Sequence, residues 1–191
     1  DMSLPGDGKA LVDERELVSR AASGDAASVR ALYDSQVQYL SAVCRRYITD
    51  EEEVKDVLQD SFVKIFSSLR KFVWRGEGSL RAWMKRIVVN EALMFLRRRS
   101  RLDMVSATDS LPESVDEDTP DTDGIPMPVL QKMIRELPDG YRTVFNLYAI
   151  EGMSHKDIAA LLGISESASC SQFSRARARL AVKIREYRNG R

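Results

Sequence analysis

Residues 153–180 read MSHKDIAALLGISESASCSQFSRARARL, and their pattern decides the fold class. Ser154 with Asp157 three residues on resembles a capping box, in which side-chain oxygens satisfy the free amides of a helix's first turn. Ile158, Ala159, Leu161 and Leu162 give the short helix over 154–162 its buried side, and Gly163 ends it. The turn Gly163-Ile164-Ser165 leads straight into another helix, about Glu166 to Arg188. A short capped helix, a tight glycine-containing turn and a longer basic helix are the signature of a helix-turn-helix. On a wheel of the longer helix, Phe173, Ala176, Leu180 and Ile184 form the core stripe, while Ser167, Ser171, Ser174, Arg175 and Ala178 lie opposite. Small hydroxyls beside an arginine let a helix backbone approach the major-groove floor, where Arg pairs with guanine and Ser with a base edge or phosphate. Residues 170–191 carry seven basic side chains and one acidic, Arg177 among the basic ones. Ser167, Ser171, Ser174, Arg175 and Arg177 are therefore the candidate DNA contacts of this helix; the competing reading is a solvated face.

Upstream, helical runs are expected over Val129–Glu136 and Pro138–Ala149, the second with proline in its first turn. Before them, residues 103–125 hold eight acids and no basic residue, and Pro112, Pro120, Pro126 and Pro128 cluster nearby. Such a composition cannot offset an ordering entropy of about 1–2 kcal/mol per residue. It predicts a flexible acidic linker, which either stays extended by self-repulsion or imitates a nucleic-acid strand in a basic channel. The chain thus divides into residues 1–102, a linker over 103–125, and residues 126–191.

The N-terminal lobe predicts four helices and no β alternation, so the expected fold is all-α with two small helical domains. The first helix runs from about Asp13 to Ser23 and the second from about Ala26 to Ile48. The third is the most regular: Val54, Val57, Leu58, Phe62, Ile65, Phe66 and Leu69 step by three and four behind an acidic start at Asp50-Glu51-Glu52-Glu53. Its outward side presents Asp56, Gln59, Asp60 and Val63, which suits a protein partner or plain solvent and not DNA. Gly76 and Gly78 break the chain, and Ser79 is placed to cap the fourth helix, whose apolar face carries Leu80, Trp83, Met84, Ile87, Val88, Met94 and Phe95.

That fourth helix differs from the third in charge. Between 81 and 101 it bears Arg81, Lys85, Arg86, Arg97, Arg98, Arg99 and Arg101 against the single acid Glu91. Asn90, a poor mid-helix residue, shares a sector with Arg86 and Arg97. An amide flanked by guanidiniums suits a base edge with phosphates on either side, although an asparagine tied to core backbone is the equal alternative. Trp83 is expected in the core; Trp74 is either a stacking platform or core.

The overall composition conceals this division. Of 191 residues, 43% are apolar and 30% charged, and 29 Lys and Arg balance 29 Asp and Glu. Residues 1–102 nevertheless hold 18 basic and 15 acidic residues, and residues 126–191 hold 11 and 6. Two basic lobes around an acidic segment suggest a polyanionic partner. Cys44 and Cys170 lie far apart, and His155 is the single histidine, so no metal site, disulfide framework or catalytic residue is expected. His155, just after a cap, is expected at the solvent. No cofactor or small-molecule substrate is implied, no nucleotide-binding or hydrolase motif occurs, and no apolar run of membrane-helix length is present. A reducing cytoplasm is the expected setting. Asp1, ahead of Met2, is taken as an expression remnant outside the fold.

Taken together, ASGDAASVRALYD (22–34), RRYITDEEEVKDVLQDSFVKIFSSLRKF (45–72), GSLRAWMKRIVVNEALMFLRRR (78–99), LPDGYRTVFNLYAIEGMSHKDIAALLGISES (137–167) and SRARARL (174–180) resemble the extracytoplasmic-function group of bacterial sigma factors. The resemblance covers about residues 13–187. It implies a non-catalytic subunit that binds core RNA polymerase and directs promoter recognition and opening. Asp56, Gln59 and Asp60 would face the clamp helices of the largest subunit. Asn90 would bind a flipped −10 base, with Arg86, Arg97 and Arg98 on the backbone. The helix from Glu166 would read the −35 element, and its lobe would dock on the flap of the second-largest subunit. The acidic linker would pass through the RNA exit channel, and an anti-sigma factor is an implied partner. Relatives often carry Lys or Arg where this chain has Cys170, and Thr where it has Ala168, which shifts the expected base contact toward Arg175; a semi-buried thiol is one reading of Cys170. The rival assignments are an operator-binding regulator with a sensor lobe, which leaves the arginine-rich fourth helix unexplained, and a recombinase-like enzyme, for which no nucleophile or carboxylate cluster is visible.

Overall fold

The structure, a computed structural model, describes residues 7–100 and 122–190, with side-chain surroundings for 14–99 and 122–190. Most of the expected linker, and Arg101, lie outside the described residues. The described secondary structure is helical throughout, as the all-α expectation requires, and the chain forms two compact units that divide at Phe95 and Leu96.

The first unit contains α1 (Asp7–Ala22), α2 (Ala26–Cys44), α3 (Glu51–Ser68) and most of α4 (Ser79–Ser100). Helix α1 begins earlier than its periodicity suggested, and α2 stops at Cys44, short of Ile48. Each of α2 and α3 starts on an aspartate. The Asp25 carboxylate accepts from the amide of Ser28 at 3.1 Å, and that of Asp50 from the amides of Glu52 and Glu53 at 2.9 and 3.0 Å. These bonds satisfy donors that no helical carbonyl can reach. Ser79 does not act this way. It is the first residue of α4, and its hydroxyl donates to the carbonyl of Gly76 (2.6 Å) and accepts from the amide of Arg75 (3.2 Å), closing the glycine turn instead of capping the helix.

Leu32, Leu40 and Val43 of α2, Val54 and Ile65 of α3, and Leu80, Met84 and Val88 of α4 are almost wholly buried. Removing each such side chain from water contributes about 1.5–3 kcal/mol. Polar ties supplement them: Arg81 donates to Gln36 (3.3 Å) with its guanidinium 5.3 Å from the Tyr39 ring centroid, and Arg70 donates to the carbonyl of Ala22 at 2.9 Å. The apolar face of α4 is rotated from the sequence expectation, since Val89, Ala92 and Leu93 are buried while Met94 is 39% exposed.

The second unit holds α5 (Met127–Arg135), α6 (Asp139–Phe145), α7 (His155–Leu162) and α8 (Glu166–Asn189). Its core joins Met133, Leu137 and Tyr141 to Ala176, Leu180 and Ile184, three of the four residues expected as the stripe of α8; the fourth, Phe173, is half-buried and stacks on Phe145 instead. The run expected as one helix to Ala149 is interrupted. After Phe145 the chain widens into a π turn over Asn146–Ile150, with the Glu151 amide donating to the carbonyl of Asn146 at 3.0 Å. The Asn146 side-chain amide, buried, donates back to the carbonyl of Arg142 at 3.0 Å.

Candidate nucleic-acid interface

Helices α7 and α8 are joined as the sequence dictates. The hydroxyl of Ser154 accepts from the amide of Asp157 (3.1 Å) and donates to that residue's carboxylate (2.7 Å), a one-sided version of the expected box. Gly163 takes the left-handed conformation (φ 68°, ψ 35°), and its amide donates to the carbonyl of Ala159 at 2.9 Å. A side chain at this position would meet the αL penalty of about 1–2 kcal/mol. Ser165 then caps α8 by accepting from the amide of Ala168 at 3.0 Å. The three-residue turn thus carries both the end cap of α7, Gly163, and the start cap of α8, Ser165, and fixes where the second helix starts.

On α8, Ser167, Ser171, Ser174 and Arg175 are all exposed, so four of the five residues proposed for DNA contact share an accessible surface; Arg177 is half-buried. Cys170 is exposed as well, not tucked against the core. Ala178 does not belong to this surface, being only 8% exposed. A wheel reports direction, not accessibility, and a methyl set among arginines is easily shielded by the longer side chains.

The inner side of the same turn holds a group that the sequence does not announce. His155 is not at the open solvent: its ring stacks on Tyr148 (centroids 4.3 Å, 13° between planes) and meets Phe173 edge-on at 5.7 Å. Its Nδ1 lies 2.9 Å from the hydroxyl of Ser169, which is fully buried. Ser169 stands seven residues before Ala176, so the core stripe of α8 continues further toward its start as a hydroxyl that meets an imidazole.

Along α4, Arg86, Asn90, Arg97 and Arg98 are all exposed. Asn90 is therefore not tied into the core, and the open alternative resolves toward a solvent-facing amide flanked by guanidiniums. Arg81, by contrast, is engaged within the fold by Gln36 and Tyr39. Phe72 meets Trp83 at 5.1 Å and Trp74 at 6.4 Å; both tryptophans are half-buried members of one aromatic cluster. On α3, Asp56, Gln59 and Asp60 are exposed beside Val63, which is 64% exposed, and form a polar face with an apolar point.

The two thiols differ in kind. Burial pushes the Cys44 thiol up to about 12, whereas Cys170 lies at the surface of α8. The thiolate is the nucleophile. Native alkylation with iodoacetamide at neutral pH is expected to label Cys170 and spare Cys44 until denaturant is added, as peptide mass spectrometry would show; equal labelling would contradict the burial.

Among the described residues, no group of three or more His, Cys, Asp or Glu is placed to hold a metal ion, and no helix is long and apolar enough to cross a membrane.

Comparison with known proteins gives consistent matches. The family model for Sigma-70 region 2 matches residues 32–102, and that for Sigma-70, region 4, matches residues 129–180, together more than half of the chain. The chain is 29% identical over 182 residues to the ECF RNA polymerase sigma-E factor of Haemophilus influenzae, covering 90% of this chain and 95% of that protein. It is 27% identical over 175 residues to the RNA polymerase sigma-H factor of Pseudomonas aeruginosa, covering 86% and 90%. A solved structure of CnrH in complex with the cytosolic domain of CnrY aligns with 29% identity, a TM-score of 0.46, and coverage of 90% of this chain and 97% of that one. With a helix-turn-helix over α7 and α8, an arginine-lined α4 and both regions matched in order, the chain belongs to the sigma-70 family, in its extracytoplasmic-function group, whose members direct RNA polymerase to promoters.

Proposed function

We propose a division of labour between the units: residues 1–102 dock on core polymerase and open the −10 element, residues 126–191 read the −35 element, and the acidic segment over 103–125 tethers them. The observation that carries this reading is the sorting of charge by helix. Arg86, Asn90, Arg97 and Arg98 line α4, while Asp56, Gln59 and Asp60 line α3. Carboxylates repel phosphates and suit a protein surface; exposed guanidiniums around an amide suit phosphates around a base. Asp56, Gln59 and Asp60 would meet the clamp helices, and the second unit would also dock on the flap. In this reading the chain catalyses nothing itself, acts in the cytoplasm, and is held in check by an anti-sigma factor. The polymerase supplies the chemistry.

Phosphate contacts position such a protein and base contacts specify its site. Each lobe offers few contacts, so affinity for DNA in isolation is modest and gains from linkage once core polymerase sets the lobes apart. Binding is steeply salt-dependent. In-vitro transcription with core polymerase on a library randomised at −35 and −10 tests the assignment: a two-element asymmetric consensus supports it, and no promoter-dependent transcript refutes it. Within that assay, Arg175→Ala is expected to relax −35 preference by about 1–3 kcal/mol, the worth of one good bidentate contact. An unchanged −35 consensus would remove Arg175 from the reading surface.

A further inference from the structure

Helix α4 carries one acidic side chain, Glu91, directly after the amide proposed to take the −10 base. Its carboxylate is only 11% exposed, and Lys64 of α3 reaches across to it, with Nζ 2.5 Å from Oε1. Lys64 stands one helical turn beyond Asp60, at the edge of the polar face of α3, and is itself half exposed. The pair therefore lies between the face assigned to polymerase and the face assigned to DNA. It does two things at once: it cancels the one negative charge among the phosphate-binding arginines of α4, and it joins the two helices beside Asn90.

We propose that Lys64 is a positioning residue for −10 recognition: by pairing with Glu91 it holds the Asn90 segment of α4 in register with the polymerase-facing helix α3. This inference rests on the assignment of α3 to polymerase and α4 to the −10 element. The pairing is a direct cation–carboxylate contact between neighbouring helices, so its removal changes the relation of the two faces without touching either set of contact residues. A partly desolvated carboxylate left without its cation is also an uncompensated negative charge one residue from Asn90, which raises the cost of bringing phosphates onto α4.

The test uses the full chain assembled with core polymerase. Open-complex formation is read by permanganate reactivity on promoters with matched and substituted −10 elements, alongside competition for core polymerase and thermal unfolding of each variant. Lys64→Met is expected to lower opening on the matched promoter by about three- to tenfold and to narrow the matched-to-substituted ratio, as coupled neighbours do. Core affinity should stay close to wild type, and melting temperature should fall by only a few degrees, since Lys64 is half exposed and water can partly replace it, leaving the chain folded at the assay temperature. Glu91→Lys alone, which sets two cations against each other, should show the same narrowing despite its added positive charge, and the reversed pair K64E/E91K should restore the ratio. The inference is overturned if K64M keeps the wild-type ratio, if its loss follows core affinity or melting temperature, or if E91K alone discriminates normally. Asn90→Ala separates this failure from failure of the parent assignment: an unaltered −10 preference in N90A sinks the assignment of α4, whereas a lost preference in N90A with an intact K64M sinks the role of Lys64 only.

Discussion

Arg142→Met is expected to cost the second unit about 3–5 kcal/mol, the range measured when one partner of a buried charged network is removed. Arg142 is 2% exposed. Its guanidinium donates to the carbonyls of Leu137 (2.6 Å) and Arg135 (3.2 Å) and pairs with the Asp139 carboxylate. Those carbonyls lie at and just past the end of α5, where the helix supplies no amide donors, so an arginine from the next helix serves as the C-cap. Methionine fills much of the volume but donates nothing. Each carbonyl left unsatisfied costs about 1–3 kcal/mol, and a unit of this size has a total stability on the order of 0.05–0.15 kcal/mol per residue. Circular dichroism during urea unfolding of the full chain should show the second unit's transition shifted to low denaturant or lost while the first unit's remains. An unshifted profile would mean that water replaces the guanidinium at no cost.

Asn90→Ala should produce the largest functional effect. The side chain is exposed between Arg86 and Arg97 and is not part of the core, so truncation leaves the fold of α4 intact. A base contact of this kind is worth about 1–3 kcal/mol, which is about 5- to 150-fold in discrimination. Transcription from a matched −10 should fall toward that from a substituted −10, with affinity for core polymerase unchanged. Arg86→Ala provides the contrast: loss of one phosphate contact weakens binding to all promoters alike and lowers the salt slope by about one. If N90A kept the wild-type ratio between matched and substituted −10 sites, the amide would not read the base.

The fold was legible because its helices are amphipathic and punctuated. The three-and-four spacing of α3 and the Gly163-Ile164-Ser165 turn each permit one geometry. What escaped was set by partners in space. The π turn after Phe145 is marked by the Glu151 amide reaching the carbonyl of Asn146, whose buried side chain bonds back to Arg142, and no periodicity signals either bond. Ser79 carries the residue type of a cap but finds Gly76 and Arg75 nearer. His155 reads as a lone surface histidine because Tyr148, Ser169 and Phe173 reach it from other helices and turns. The seven-residue spacing from Ser169 to Ala176 does hint that a hydroxyl sits on the core stripe. The exposure of the candidates on α4 and α8 was readable from charge and side-chain size alone, because charged and small hydroxyl side chains seldom line a core.

The π turn over Asn146–Ile150 also fixes a length. Its outer side, Tyr148, Ala149 and Ile150, is exposed, as in loops that drift freely in length among relatives, while Leu147 and Asn146 are buried beneath it. A π turn is an α-helix with one residue added. Deleting one of the five would let the segment relax to α register with the flanking chain little turned, and the cost would fall on the widened turn itself, where Tyr148 is held over the imidazole that backs the first turn of α8. The widened turn is thus where the segment takes up one residue, and what that residue supplies is the seat of Tyr148 on His155.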